Sequence, residues 1–176
     1  MRVLGIDPGT ITSGYGIVDE EGNSIFFVDA GGITTSSKAS FPERLKKIYE
    51  GIDALIERHS PDMVAMESLF FAKNVQSALK LGHARGVALL AAVNRGLPIF
   101  EYSPSEIKQA VVGYGAADKA QVQKMVGALL KLETLPKPYD ASDALAAAIC
   151  HIHSGRMREA VKAGSRSVKG TGRGSS

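Results

Sequence analysis

An α/β domain built on one mixed five-stranded sheet flanked by helices is the fold class this chain predicts. Three features of its 176 residues point that way. Three apolar runs of strand period follow one another through short turns, so they pair as antiparallel neighbours. Two further runs are each reached through a segment of helical period, the route that a parallel strand requires. No repeat or internal linker breaks the order βββ-α-β-α-β-α-α-α, which describes one domain long enough to bury a real core.

In chain order, residues 2–8 carry Val3, Leu4 and Ile6 into Asp7, and Pro8-Gly9 then breaks the strand. The second strand resumes over 13–20 with Gly14-Tyr-Gly16. Glu20-Glu21-Gly22-Asn23 turns it into a third over 24–35. Ser40-Phe-Pro-Glu43 is a capping box with proline in the first turn. The helix behind it spaces Leu45, Ile48, Tyr49, Ile52, Leu55 and Ile56 along one face and stops near His59. Residues 62–67 form a fourth strand that again ends on a carboxylate, Glu67. The loop 68–73 leads into a long helix over 74–94, where Ala78, Gly82 and Gly86 fall four apart on one face. Two interior glycines cost a helix roughly 1 kcal/mol each relative to alanine. That smooth face therefore suits a close neighbour, inside the molecule or on a second copy. Residues 98–102 are the fifth strand. The capping box Ser103-Pro-Ser-Glu106 and the cap Asp118-Lys-Ala-Gln121 open two short helices, and Asp140-Ala-Ser-Asp143 begins the last one.

Apolar content of 44% and charged content of 22% are those of a soluble globular protein. The longest apolar run, Val87 to Val93, is far short of the ~18 residues of a membrane span, and the N-terminus has no signal-peptide pattern. A cytoplasmic protein is expected. A single cysteine, Cys150, can form no intrachain disulfide and reads as a buried thiol. From Gly155 onward there are six Lys/Arg against one acid, net +5, which leaves 15 basic and 17 acidic groups, net −2, in residues 1–154. We therefore divide the chain into a folded domain, 1–154, and a flexible basic tail, 155–176, too poor in large apolar groups to fold alone. A body of net −2 is no general polyanion binder, so contact with nucleic acid needs a local basic surface or metal ions.

Four acids stand where chemistry is done. Asp7 and Glu67 end two strands that are parallel neighbours in this topology, the edge where open α/β sheets place their sites. Asp140 and Asp143, three apart, share one helix face. Singly, each has an ordinary explanation as a helix cap, a turn residue or an exposed strand end. Together they would repel one another unless divalent cations neutralised them. Oxygen-only ligands favour Mg²⁺ or Mn²⁺ over zinc. Such a set suits two-metal phosphodiester cleavage, with ~3.5–4 Å between the ions.

Five motifs in order carry a more specific resemblance. They are Gly5-Ile-Asp-Pro-Gly-Thr10 with Gly14-Tyr-Gly16, Met66-Glu-Ser-Leu-Phe-Phe-Ala-Lys-Asn74, Ser77-Ala-Leu-Lys-Leu-Gly82 with Ala84-Arg-Gly86, Lys108-Gln-Ala-Val-Val-Gly113, and Asp140-Ala-Ser-Asp-Ala-Leu-Ala146. Over about residues 1–153 the chain resembles the RuvC Holliday-junction resolvases. The resemblance implies a ribonuclease-H-like fold, a homodimer, and Mg²⁺-dependent nicking of four-way DNA junctions in recombination and repair. It places the catalytic metal ligands on Asp7, Glu67, Asp140 and Asp143, with two ions per site during cleavage and Mn²⁺ able to substitute. Phe70 aligns with an aromatic that meets unstacked bases at the junction. Lys108 and Lys119 align with phosphate-binding and catalysis-supporting lysines. Lys73, Lys80 and Arg85 are further candidates for phosphate contact. A RuvA–RuvB branch-migration complex is the implied protein partner.

Three other readings compete. The Asp7-Pro-Gly-Thr10 turn also fits an actin-like phosphate-binding ATPase or sugar kinase, although such kinases need two related domains and a second phosphate loop. A ribonuclease-H-like nuclease that processes RNA would keep the fold and change the substrate. A binding-only module would have no use for four intact acids.

Overall fold

The computed structural model describes residues 1–68 and 74–170, with side chains described as far as Arg156. Strands β1 (Arg2–Asp7), β2 (Thr12–Glu21) and β3 (Ser24–Thr34) form an antiparallel meander. Strands β4 (Met63–Glu67) and β5 (Ile99–Tyr102) continue the sheet parallel to β1, giving the order β3-β2-β1-β4-β5. Five helices complete the order, α1 (Phe41–His59), α2 (Val75–Asn94), α3 (Pro104–Val112), α4 (Lys119–Leu129) and α5 (Tyr139–Gly170). The mixed five-stranded α/β sheet expected from the sequence is present.

Local chemistry explains where the helices begin. At Ser40 the side chain accepts from the Glu43 amide while the Glu43 carboxylate accepts from the Ser40 amide, so two otherwise orphaned donors are satisfied. Ser103 with Glu106 and Asp118 with Gln121 repeat the device at α3 and α4. Helix α5 differs from its expected start. It begins at Tyr139, so Asp140 lies inside the first turn rather than at the cap, and its backbone stays helical to Gly170, past the change of composition at Gly155.

Alternation along β1 sorts the two cores. Leu4 and Ile6 join Ile17, Val64 and Met66 against Ile48, Ile52 and Ile56 of α1 and Ala84, Ala88, Ala91 and Ala92 of α2. Val3 faces the other way with Val18 and Ala65, toward Ile107, Val126, Leu145 and Ile149 on α3, α4 and α5. A central strand buried on both faces is what its near-continuous apolar run requires. Cys150 is buried, as expected. Among the described residues no helix is long and apolar enough to cross a membrane.

Where α5 crosses β1 and β2, the sheet carries glycine at positions 5, 14 and 16. A Cβ on Gly5 would collide with the Ala144 carbonyl, and one on Gly14 would collide with the Asp140 backbone. Helix α5 therefore lies directly on the β1–β2 backbone, closer than any side chain would permit. Gly5→Ala is expected to lower stability by ~1–3 kcal/mol, the usual cost of overpacking. Gly155→Ala, on α5 with nothing within 4 Å among the described residues, should be neutral or stabilising. Urea unfolding of both variants checks the contrast, and equal midpoints would remove the close approach as a constraint.

Candidate active site

Parallel pairing of β1 with β4, in register from Val3–Met63 to Ile6–Met66, brings Asp7 and Glu67 out at the same edge of the sheet. The start of α5 crosses that edge with Asp140 and Asp143 one turn apart. One carboxylate oxygen each from Asp7, Asp140 and Asp143 lie within 4.8 Å of one another. Glu67 stands outside that triad, on the wall of a cavity of about 280 Å³ that Lys108, Ile107, Lys119, Val122 and Asp143 also line.

Burial is the largest influence on Asp7 and, with repulsion from Asp143, Asp140 and Glu67, pushes its pKa up to about 7 against a weaker pull from Lys119. Glu67 is also raised, chiefly by burial and then by Asp143, while Lys108, Lys119 and Arg85 pull it down. The Lys119 ammonium donates to Asp143 Oδ2 at 2.6 Å, and that hydrogen bond is the main reason its pKa is raised. The site thus gathers more negative charge than its own cations offset. Its hard oxygen donors, with no histidine or cysteine in the triad, fit a Mg²⁺- or Mn²⁺-type ion.

The other candidates are placed unevenly. Lys108 and Lys119 both reach the cavity. Lys80 is exposed on α2 and shares no hydrogen bond or ion pair with the acids among the described residues. Phe70 and Lys73 lie outside the described residues. Arg85 departs from the expected phosphate contact. It is only 7% exposed, its Nη1 donates to the backbone carbonyl of Glu67, and its Nη2 lies 2.7 Å from Glu101 Oε1 as an ion pair out of hydrogen-bond alignment. A signal for this was available, since Arg85 falls three and seven residues before Ala88 and Ala92 of the buried stripe.

The opposite side of α2 is open. Gly82 and Gly86 are exposed and meet nothing within 4 Å, so no internal neighbour among the described residues explains them. Val75, Leu79, Leu90 and Val93 are 52–76% exposed on that same side.

The family described as Crossover junction endodeoxyribonuclease RuvC matches residues 3–151. A relative with that description from Alkaliphilus oremlandii is 55% identical over 162 residues, covering 92% of this chain and 99% of its own. Among solved structures, Thermus thermophilus RuvC is similar with a TM-score of 0.82 and 36% identity, over 89% of this chain and 96% of that one. The same protein in complex with a Holliday junction substrate gives a TM-score of 0.85 at the same identity and coverage. The fold is that of the ribonuclease-H-like resolvases.

A raised Asp7 pKa links the site to stability. The folded state holds a proton on Asp7 up to about pH 7, whereas the unfolded chain releases it near 3.8, so ionising Asp7 costs folding stability as pH rises between these values. A bound divalent cation removes that cost. Mg²⁺ should therefore raise the melting temperature more at about pH 8 than at about pH 5.5. Equal shifts in thermal melts at the two pH values would argue against a cation at Asp7.

Proposed function

The chain belongs to the RuvC family of crossover junction endodeoxyribonucleases, and from that membership we propose that it resolves four-way (Holliday) DNA junctions by two symmetric nicks, in recombination and repair. The observation that carries this reading is the Asp7–Asp140–Asp143 triad beside Glu67 in a cavity lined by two lysines. All four acids would hold Mg²⁺, with Mn²⁺ as a substitute and two ions per site during cleavage. Such ions would supply water activation and charge neutralisation at the leaving oxygen.

The chain's own groups do the remainder. Lys119, anchored on Asp143, keeps two further N–H donors for a phosphate oxygen on which charge develops. Lys108 offers a second cation in the same cavity. Water attacks phosphorus, the bond to the 3′ oxygen breaks, and the products are a 5′-phosphate and a 3′-hydroxyl. By family resemblance, Phe70 stacks on an unstacked base, and Lys73 and Lys80 are, as basic side chains, candidates for further phosphate contacts. The kinase alternative gives no joint role to Glu67, Asp140 and Asp143.

One acid cluster cuts one strand, so paired nicks need two clusters related by symmetry, which an isologous homodimer provides. The open face of α2 is the surface we assign to that second copy, because its glycines admit a close approach and its exposed side chains are apolar. Cooperation with RuvA–RuvB and a cytoplasmic location are parts of the proposal supported by family resemblance, and the basic tail over 155–176 is a part supported by composition.

Asp7→Asn should cut junction cleavage in Mg²⁺ by a factor of at least ~10³ while leaving junction binding within a few-fold. Near-normal nicking by that variant in a gel assay would overturn the ligand assignment. Gly82→Arg with Gly86→Glu, at positions where a side chain meets nothing among the described residues, should move the sedimentation coefficient from dimer to monomer. A mass that stays dimeric would put the contact elsewhere.

A further inference from the structure

We propose that Arg85 is a positioning residue for the metal site, holding the end of β4 so that the Glu67 carboxylate meets the cation in a fixed orientation. The inference rests on the proposed metal-dependent reading of the site. Burying a guanidinium is expensive unless its donors are used, and only 7% of Arg85 remains exposed. Its two terminal nitrogens meet two groups, one through an ion pair out of hydrogen-bond alignment and one through a hydrogen bond. One is the carboxylate of Glu101, whose side chain is 46% exposed and so is solvated without help. The other is the main-chain carbonyl of Glu67 itself.

The position of that carbonyl gives the contact its consequence. Pairing between β1 and β4 runs to Ile6–Met66, one residue short of Glu67. On the β5 side, Ser68 donates its amide to the Tyr102 carbonyl at 2.8 Å. The strand end is therefore held by β5, through the Glu67–Tyr102 pairing and the Ser68 amide, and by α2, through Arg85, at the Glu67 carbonyl. Removing the Arg85 contact leaves the Glu67–Ser68 peptide held through its amide and no longer through its carbonyl, so the direction of the Glu67 side chain is less tightly set. Groups that fix a ligand from behind commonly change metal affinity by about 10–100-fold when removed. A counter-charge for Glu101 alone would not need a donor at Glu67.

The test uses the whole chain and Mn²⁺ as the probe, with titration calorimetry as a readout independent of cleavage. R85M should weaken Mn²⁺ binding by ~10-fold or more and raise the Mg²⁺ needed for half-maximal cleavage by a similar factor, with junction binding little changed. E101Q, which removes the ion pair and leaves the donor to Glu67, should lower the melting temperature but keep Mn²⁺ affinity within about two-fold of wild type. If R85M does not fold, R85Q carries the same comparison. Wild-type Mn²⁺ affinity in the Arg85 variant overturns the proposal, as does an equal loss in E101Q. Failure of the underlying metal reading is separately visible, because then D7N would bind Mn²⁺ as well as wild type does.

Discussion

Everything at the candidate site depends on how close α5 comes to the backbone of β1 and β2. Asp7 pairs with Gly14 across the β1–β2 ladder, and the space a Gly14 side chain would fill is taken by the Asp140 backbone. The same missing Cβ thus sets the gap between a strand acid and a helix acid that are 133 positions apart in the sequence. Gly5 does the equivalent one turn along, beneath Ala144. A side chain at either position would push α5 off the sheet, and at Gly14 it would do so by striking Asp140 itself. The glycines are therefore part of the site, although none of them carries a reactive group.

That packing creates an electrostatic imbalance that the chain does not resolve by itself. Lys119 is committed to Asp143, and Lys108 faces Glu67 from the cavity wall, but Asp7 sits among like charges with its pKa pushed up to about 7. Lys119 pulls the Asp7 pKa down by less than burial and the three neighbouring acids push it up. Residues 1–154 carry net −2, so a polyanion also gains little from the body's overall field. Both facts fit the proposed reading, in which divalent ions and two lysines would supply positive charge locally. Stability is given up at the place where function needs concentrated charge.

Much of this was legible in the sequence because it is local or periodic. The capping pairs Ser40–Glu43, Ser103–Glu106 and Asp118–Gln121 mark their helix starts within a residue or two, since each satisfies specific orphan amides. Strands ending in Asp7 and Glu67 could be placed at one edge from topology alone. What was hidden depends on distance in three dimensions. Asp140 looked like a cap because Asp favours caps, whereas contact with Gly14 and the start of the helix at Tyr139 put it inside the first turn. Arg85 looked like a phosphate ligand because exposed Arg residues often are. Only the packing of α2 on β4 shows its guanidinium turned inward.

Helix α2 then emerges as the element that joins two problems. Ala84, Ala88, Ala91 and Ala92 bury one face against the sheet, while Gly82, Gly86, Leu79, Leu90 and Val93 leave the other uncovered. Arg85 sits between these faces and reaches the carbonyl of Glu67. A second copy seated on the open face would press on the same helix that holds the end of β4. In the proposed dimer the spacing between two acid clusters and the orientation of Glu67 within each are then set by one rigid segment. Two nicks on a junction must be placed symmetrically, and a helix shared between the seam and the site couples the two placements without any moving part.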